Sequence, residues 1–263
     1  MNRTWARALV TGASGGIGEA IARRLAADGT SLVVVARSAD RLEALATEVR
    51  QRNGVEVEVL AADLEDGAGL ARVEDRVRAA DRPVDLLVNN AGYGHGGAFV
   101  DGPADVHEGM IRLNVLALVR LTHAALPGMI ARGSGTVLNI SSVAGFQPLP
   151  YSATYAATKA FVTSFGESVA EEVRSAGVTV TTSCPGFTRT GFQARSGIGE
   201  AGDDRIPRFA WMTADAVAGE TLDAARRGDP LCVPGTGYKA LVAVSRPAPL
   251  WLRRRVTARL TRR

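Results

Sequence analysis

Short apolar runs rich in β-branched residues alternate along the chain with longer segments that carry apolar residues at helical spacing. Two of these helical segments are GEAIARRLAADG (18–29) and SADRLEALATEVRQRNG (38–54), and Ser38 is a residue type that caps helices. Strands alternating with helices predict a parallel sheet covered on both faces, a doubly wound α/β fold. The predicted strands are 7–11, 31–36, 56–60, 85–90, 135–141, 178–183 and 230–235.

The length of 263 residues fits one α/β domain, which we assign to residues 1–245. Within it, the Gly-rich segment 191–212 is predicted to form a substrate loop or small lid. The remaining residues, 246–263, form a basic tail with seven arginines and no acidic residue.

The net charge of +4 originates in this tail, since the rest of the chain has 24 basic against 27 acidic residues. A nucleic-acid-binding face is therefore not predicted. Leu252, Val256 and Leu260 recur every four residues among the arginines, a pattern that suits weak contact with an anionic membrane surface. The alternative is a solvated or subunit-packing C-terminus.

Cysteine and histidine usage argues against a disulfide framework and against a metal site. Cys184 and Cys232 are the two cysteines, and neither they nor His95, His107 and His123 have ligand spacing. The N-terminus has no long apolar leader region, and no window approaches about 18 uninterrupted apolar residues. We expect a reducing, cytoplasmic setting, with a peripheral membrane association as the possibility that the tail leaves open.

A glycine-rich segment, TGASGGIG (11–18), follows the first predicted strand and opens onto a helix. Glycines allow the backbone to turn tightly and to approach a pyrophosphate, which the free amides of a helix N-terminus attract. The alternative is a glycine-rich turn without a ligand. The residues that we expect to contact a dinucleotide here are Gly12, Ser14, Gly16, Ile17 and Gly18.

The residue about 20 positions after such a loop discriminates NAD from NADP. Here it is Arg37, and no carboxylate occurs before Asp40. Arginine suits a 2′-phosphate, so NADP(H) is favoured over NAD(H). The alternative is that Arg37 is a solvated residue at the end of a strand.

Five motifs occur in a fixed order over residues 7–190: TGASGGIG, NNAG (89–92), NISS (139–142), YAATK (155–159) and PGFTRT (185–190). With them the sequence resembles the single-domain, Rossmann-type short-chain dehydrogenases/reductases. The resemblance implies NAD(P)-linked interconversion of a carbonyl and a secondary alcohol on a small molecule. It also implies pro-S hydride transfer and a homodimer or homotetramer.

The predicted catalytic residues are Ser142, Tyr155, Lys159 and Asn114. Hydride transfer to a carbonyl leaves an alkoxide that needs a proton, and a free tyrosine with a pKa near ~10 is poorly matched to neutral pH. Lys159 lies one helical turn after Tyr155, so its ammonium is expected to lower the pKa of the tyrosine. Ser142 would hydrogen-bond the carbonyl oxygen, with Ser141 the less favoured candidate. A solvated helix face is the alternative for the Tyr155–Lys159 pair.

Asn114 lies in an otherwise apolar helical run, where asparagine is disfavoured. It is either paired in the core or functional, and the resemblance implies a water-mediated proton relay to Lys159. The resemblance further implies that Asp63 contacts the adenine and that Asn89 or Asn90 steadies the sheet. The other cofactor contacts that it implies are Tyr155, Lys159, Asn90, Ala91, Gly92, Pro185, Gly186, Thr188 and Thr190.

One departure concerns Gly15, where many NADP-using relatives have a basic or hydroxyl residue. It leaves Arg37, with Ser38 or Arg41, to hold the phosphate. An apolar substrate is expected from the aromatic and aliphatic candidates for the pocket wall, Phe146, Leu149, Tyr151, Phe187, Phe192 and Trp211. The rival functions are an NAD-linked alcohol dehydrogenase and a non-catalytic NADP-binding sensor or scaffold.

Overall fold

A seven-stranded parallel sheet forms the centre of the protein in a computed structural model that describes residues 4–192, 196 and 207–245. Along the sheet the strands run in the order β3-β2-β1-β4-β5-β6-β9, which confirms the doubly wound Rossmann prediction. The two further strands pair with each other in a separate small sheet. The bounds are β1 Arg7–Thr11, β2 Ser31–Ala36, β3 Val57–Ala61, β4 Leu86–Asn89, β5 Gly135–Ile140, β6 Val178–Ser183, β7 Thr188–Arg189, β8 Met212–Thr213 and β9 Leu231–Cys232.

Helices cover both faces of the sheet, because successive strand side chains point to opposite sides. On one face α1, α2 and α7 pack against Val10, Val34 and Leu138, and on the other α3, α5 and α6 pack against Leu9, Val33 and Val137. The α-helices are α1 Gly16–Ala27, α2 Ala39–Asn53, α3 Gly67–Arg78, α4 Ala104–Ile111, α5 Leu118–Ala131, α6 Ala153–Val173, α7 Ala214–Arg227 and α8 Thr236–Ser245.

The cap of α2 differs from the sequence prediction in its chemistry. Ser38 is the N-cap residue, but its side chain makes no capping hydrogen bond. By contrast, the Asp66 carboxylate accepts a hydrogen bond of 2.8 Å from the Gly69 amide at the start of α3. The start of α2 was therefore predicted correctly, and the expected hydroxyl cap is absent.

A π-helical segment, Arg112–Ala117, joins α4 to α5 and contains Asn114. By length and composition the continuous helix Ala104–Ala131 could cross a membrane, although the sequence shows no uninterrupted apolar window. In this structure it packs against α3 and α6, and its buried residues include Met110, Asn114 and Leu121. It is thus a core helix of the domain.

The order of the strands in the sheet indicates where a ligand would bind. β1 pairs with β2 on one side and with β4 on the other, so the chain winds in opposite directions from this point. Ligands of doubly wound sheets bind beyond the carboxyl ends of the strands at such a switch point. Most of the predicted substrate loop (193–195 and 197–206) and the whole basic tail (246–263) lie outside the described residues.

Candidate active site

The glycine loop after β1 has the backbone that its sequence requires. Gly12 and Gly16 have φ values of +67° and +61°, in the left-handed region that glycine tolerates. A methyl group on Gly18 would lie 2.5 Å from the Gly12 carbonyl oxygen, so only glycine permits this close turn. A methyl group on Gly15 would meet no atom within 4 Å, so the mouth of the loop is open.

The start of α1 suits a pyrophosphate. Gly15 is its N-cap residue and offers no side chain to the first-turn amides. These amides and the positive end of the helix dipole remain for an anion, as dinucleotide-binding folds use them. The loop geometry therefore fits the nicotinamide dinucleotide that the sequence predicts.

Asn89 and Asn90 have separate structural roles. The Asn90 side-chain amide donates to the carbonyl oxygens of Thr11 (2.8 Å) and Gly12 (3.2 Å), and so braces the glycine loop. The Asn89 amide donates to the side-chain oxygens of Asn139 and Thr122, both at 3.0 Å. Asn89 thus links β4 to β5, and Asn90 links β4 to the loop. Ala91 follows, its backbone amide donating to the Thr11 hydroxyl at 3.0 Å.

Arg37 and Asp63 meet beyond the ends of β2 and β3. The Arg37 side chain is 72% exposed, and its Nη1 lies 3.9 Å from Asp63 Oδ2. Asp63 is held by the Glu65 backbone amide, which donates to its carboxylate at 2.9 Å. An exposed guanidinium in this position is free to bind a phosphate group, because a surface ion pair of this length is weak.

The catalytic candidates converge where β5 ends and α6 begins. Ser142 caps a short 3₁₀ turn, Val143–Phe146, and its hydroxyl accepts a hydrogen bond from the Ala144 amide at 3.1 Å. The Ser142 hydroxyl also lies beside the buried Tyr155 side chain and 3.5 Å from the Pro185 carbonyl oxygen, to which it donates. Lys159 lies one turn further along α6, with Nζ 5.8 Å from the centre of the Tyr155 ring and 2.9 Å from the Ile140 carbonyl oxygen.

Burial dominates the electrostatics of this pair. It raises the pKa of Tyr155 to about 12, and the neighbouring Ser142 hydroxyl acts on that pKa in the lowering direction. Burial also lowers the pKa of Lys159 to about 8. The expected lowering of the Tyr155 pKa is therefore not found in this structure, because burial sets the direction of the shift and the charge of Lys159 is not among its causes.

The Ser141 hydroxyl serves the fold. It contacts the Lys159 carbonyl oxygen at 2.7 Å and the Thr163 hydroxyl at 2.8 Å, facing into α6. Of the two serines, Ser142 is thus the one that lies beside Tyr155.

Asn114 is buried in the π-helical segment and is bonded on every side. Its amide donates to the Tyr93 carbonyl oxygen (2.9 Å) and to the Thr158 hydroxyl (3.1 Å), and its Oδ1 accepts from the Tyr93 amide at 3.1 Å. Thr158 in turn donates to the Tyr155 carbonyl oxygen at 2.7 Å. Sequence reasoning missed Tyr93 and Thr158, although Thr158 lies inside the YAATK motif.

Gly92 leaves room between Asn114 and Lys159. A methyl group at this position would lie 2.8 Å from Asn114 Oδ1 and 3.6 Å from Lys159 Nζ. The Asn114 side-chain oxygen and the Lys159 ammonium, both part of the predicted proton relay, thus face Gly92.

The segment after β6 is held against the glycine loop. A methyl group on Gly16 would lie 3.2 Å from Thr190 Cγ2, so Thr190 borders the loop directly. The Thr188 hydroxyl donates to the Gly186 carbonyl oxygen at 3.0 Å, and the Pro185 carbonyl oxygen accepts from the Val143 amide at 3.1 Å. These contacts bring the predicted nicotinamide-side residues to the same edge as Ser142.

Three of the six predicted pocket-wall residues form aromatic contacts here. Phe192 lies against Tyr155 with ring centres 5.5 Å apart, and Phe187 and Trp211 lie 5.4 Å apart. Tyr151 precedes α6, is 43% exposed and has a left-handed φ of +64°.

Phe146 and Leu149 line a separate groove of about 520 Å³. Its other walls include Ala153, Ala157 and Ala160 of α6. At helical spacing these alanines lie on the face of α6 opposite to Tyr155, so this groove is distinct from the catalytic edge.

Among the described residues, no group of three histidine, cysteine or acidic side chains is placed to bind a metal ion. The glycine loop at the switch point and the Ser142, Tyr155 and Lys159 side chains lie at the same edge of the sheet, beyond the carboxyl ends of its strands.

Comparison with known proteins places this chain in a family. The family model "short chain dehydrogenase" matches residues 6–200, and the chain belongs to this family. Two curated relatives are the very-long-chain 3-oxoacyl-CoA reductase of Anas platyrhynchos and sulfoacetaldehyde reductase 2 of Chromohalobacter salexigens. The first is 37% identical over 189 residues, which is 70% of this chain and 60% of that reductase. The second is 40% identical over 208 residues, 76% of this chain and 80% of that enzyme.

Two solved structures are similar over nearly the whole chain. The short-chain dehydrogenase from Sphingobium yanoikuyae in complex with NADPH has a TM-score of 0.82 and 38% identity, covering 90% of this chain and 92% of that one. The bulky-bulky ketone specific alcohol dehydrogenase from Comamonas testosteroni has a TM-score of 0.79 and 32% identity, covering 94% and 93%.

Proposed function

We propose that this protein reduces the carbonyl group of a bulky, apolar ketone to a secondary alcohol with NADPH and catalyses the reverse oxidation. The observation that carries the proposal is the convergence of Ser142, Tyr155 and Lys159, with the Phe192 ring against Tyr155. An acid held beside an aromatic wall suits a carbonyl with apolar substituents.

When bound, NADPH would supply the hydride for the carbonyl carbon, the pro-S hydride in this proposal. The protein holds the carbonyl oxygen through the Ser142 hydroxyl and protonates the resulting alkoxide from Tyr155 Oη. A raised pKa keeps Tyr155 protonated at neutral pH, which is the form needed for reduction. The proton that restores Tyr155 then arrives by way of Asn114 and Lys159, whose side chains face the space beside Gly92.

The choice of NADPH rests on Arg37. Its exposed guanidinium lies beyond β2, where a 2′-phosphate would be recognised, and the similar Sphingobium enzyme was solved with NADPH. We assign Gly12, Ser14, Gly16, Ile17 and Gly18 to the pyrophosphate. The remaining cofactor contacts in the proposal are Asp63, Asn90, Ala91, Gly92, Pro185, Gly186, Thr188 and Thr190.

The substrate class rests on the aromatic residues at the catalytic edge and on the relatives. The names of the Anas and Comamonas enzymes indicate bulky substrates. The name of the Chromohalobacter enzyme indicates a small anionic aldehyde. Phe187 and Trp211, in contact with each other, favour the bulky class. We further expect a cytoplasmic homodimer or homotetramer.

A panel of carbonyl compounds, followed at the absorbance of the reduced nicotinamide, tests the proposal. It should compare bulky ketones with small polar aldehydes, each with NADPH and with NADH. Bulky ketones with NADPH should give the highest kcat/KM. Preference for NADH would support an NAD-linked alcohol dehydrogenase, and tight NADPH binding without any turnover would support a sensor or scaffold.

A further inference from the structure

Tyr93, the residue directly after the NNAG motif, holds Asn114 through its backbone. Its amide donates to Asn114 Oδ1 at 3.1 Å, and its carbonyl oxygen accepts from Asn114 Nδ2 at 2.9 Å. Both ends of the Asn114 amide are therefore oriented by one residue. Any shift of Tyr93 moves the side chain that we place in the proton relay.

The Tyr93 side chain anchors that backbone to two other parts of the chain. Its hydroxyl donates to the Val106 carbonyl oxygen of α4 at 3.3 Å and lies beside the Glu65 carboxylate in the loop after β3. The phenol thus links the ends of β3 and β4 to the helix that continues into the π-helical segment.

Gly109 makes this contact possible. A methyl group on Gly109 would lie 2.6 Å from Glu65 Oε2 and would contact the Tyr93 hydroxyl even more closely. Gly109 is a buried residue of α4, three positions before Arg112, where the π-helical segment begins. The hydroxyl and the carboxylate therefore meet at the turn that presents Asn114.

The charges around this contact favour the neutral phenol as donor. Burial, followed by the negative charge of Glu65, raises the pKa of Tyr93, so its hydroxyl stays protonated at neutral pH. Burial and Asp63 raise the pKa of Glu65, whereas Arg37 and Arg112 act in the opposite direction. The Tyr93 hydroxyl therefore remains a hydrogen-bond donor in this setting.

We propose that Tyr93 is a positioning residue for the proton relay, and that Glu65 and the absent side chain of Gly109 fix its hydroxyl. The inference rests on the proposed function, since Asn114 matters only if Tyr155 must be reprotonated. It predicts a residue outside the family motifs whose loss slows turnover and leaves NADPH binding intact.

The test combines kinetics with a measurement on the free protein. Tyr93→Phe removes only the hydroxyl, Glu65→Ala removes its acceptor, and the double variant shows whether the two act as one unit. Gly109→Ala displaces both groups, and Gly67→Ala is its matched control, because a methyl group there meets no atom within 4 Å. The readouts are kcat and its pH profile, NADPH affinity by fluorescence, and the Asn114 side-chain amide resonance in protein labelled at its six asparagines.

We expect kcat to fall about three- to tenfold in Tyr93→Phe and in Glu65→Ala, with NADPH affinity changed less than about twofold. The double variant should be no slower than the slower single variant, the pH profile of kcat should shift, and the Asn114 resonance should move. An unchanged kcat in Tyr93→Phe, or fully additive losses in the double variant, would overturn the inference. If Gly109→Ala does not fold, the comparison of Tyr93→Phe, Glu65→Ala and the double variant still tests the inference.

Failure of the proposed function gives a different result. In that case the wild-type protein turns over no carbonyl compound, while the Asn114 resonance still reports whether Tyr93 orients it. An Asn114 resonance that stays in place in both Tyr93→Phe and Glu65→Ala overturns the positioning role whether or not the protein is an enzyme.

Discussion

Tyr155 and Lys159 lie one turn apart on α6, with the ammonium 5.8 Å from the ring centre, and burial drives their pKa values in opposite directions. The pKa of Tyr155 rises to about 12, and the pKa of Lys159 falls to about 8. Each group is thereby stabilised in its neutral form. A buried, easily neutralised pair suits reversible proton transfer better than it suits stability.

The buried Lys159 ammonium should destabilise the fold at neutral pH. Its folded pKa of about 8 lies below its ordinary value of 10.5, so the cost is fully present below pH 8. Between these values the unfolded chain binds more protons, and the free energy of unfolding rises with pH. Lys159→Met should therefore be more stable than the wild type at pH 7, by about 2 kcal/mol after the loss of the bond to Ile140.

Urea unfolding at several pH values measures this difference. The advantage of Lys159→Met should shrink as the pH rises from about 8 to 10.5. Lys239→Met is the control, because Lys239 is 55% exposed and pairs only at the surface with Glu220; it should change stability by less than about 1 kcal/mol. A less stable Lys159→Met at pH 7 would contradict the assigned burial cost.

Gly92→Ala should impair turnover through Asn114 and Lys159. The added methyl group would lie 2.8 Å from Asn114 Oδ1, which must then move. A displacement of this size in a reacting geometry reduces kcat about tenfold to hundredfold. Steady-state kinetics beside Gly237→Ala, where a methyl group meets no atom within 4 Å, gives the comparison. Equal kcat values for the two variants would show that the space between Gly92, Asn114 and Lys159 is not needed for turnover.

Much of this architecture could be predicted from the sequence because it depends on local patterns. Near-continuous apolar runs such as 31–36 gave strands whose bounds agree with the structure. The edge strand predicted at 230–235 is reduced to Leu231–Cys232, because Pro230 and Pro234 flank it and cannot donate to a sheet ladder.

The features that the sequence could not supply depend on contacts between distant segments. Tyr93, Glu65 and Gly109 come from three separate loops and helices, and no spacing in the sequence predicts their meeting. The π-helical segment around Asn114 has the same origin, since it looks like an ordinary apolar helix in the sequence. The pKa of Tyr155 was predicted with the wrong sign because local spacing indicates a nearby charge but not the extent of burial.

Arg37→Asp should reverse the coenzyme preference. Charge-assisted hydrogen bonds to a phosphate contribute about 1.5–3 kcal/mol, so the ratio of NADPH to NADH affinity should fall about tenfold to hundredfold. Fluorescence titration with both coenzymes measures the ratio. Arg52→Asp makes the same charge change at the exposed far end of α2 and should leave the ratio within about twofold. An Arg37→Asp variant that keeps the wild-type ratio would show that the phosphate is held elsewhere.

Glu74 should stabilise the packing of α3 on α5. Its side chain is 7% exposed and accepts hydrogen bonds from Arg120, which lower the pKa of the carboxyl. Glu74→Gln should cost about 1 kcal/mol at pH 7, because the buried carboxylate loses its charge and with it the hydrogen-bonded ion pair to Arg120, whose side chain is 38% exposed. The lowered pKa places this stabilisation above the ordinary value of 4.5 and removes it as the pH falls further.

Chemical unfolding at pH 7 and at pH 3.5 tests this ion pair. The stability difference between the wild type and Glu74→Gln should narrow at the lower pH. Glu171→Gln is the matched control, since Glu171 is 65% exposed and pairs with Arg174, which is 78% exposed. A similar loss in both variants at pH 7 would mean that burial of Glu74 adds nothing.

Comparison of Tyr155→Phe with the wild type tests the central claim most directly. On the best ketone of the panel, kcat should fall at least about a hundredfold, because proton transfer from a positioned acid contributes 10²–10⁴-fold. NADPH affinity, measured in the same preparations, should change less than about threefold, since the ring and its contact with Phe192 remain. A Tyr155→Phe protein that retains kcat within tenfold of the wild type would contradict the assignment of Tyr155 as the catalytic acid.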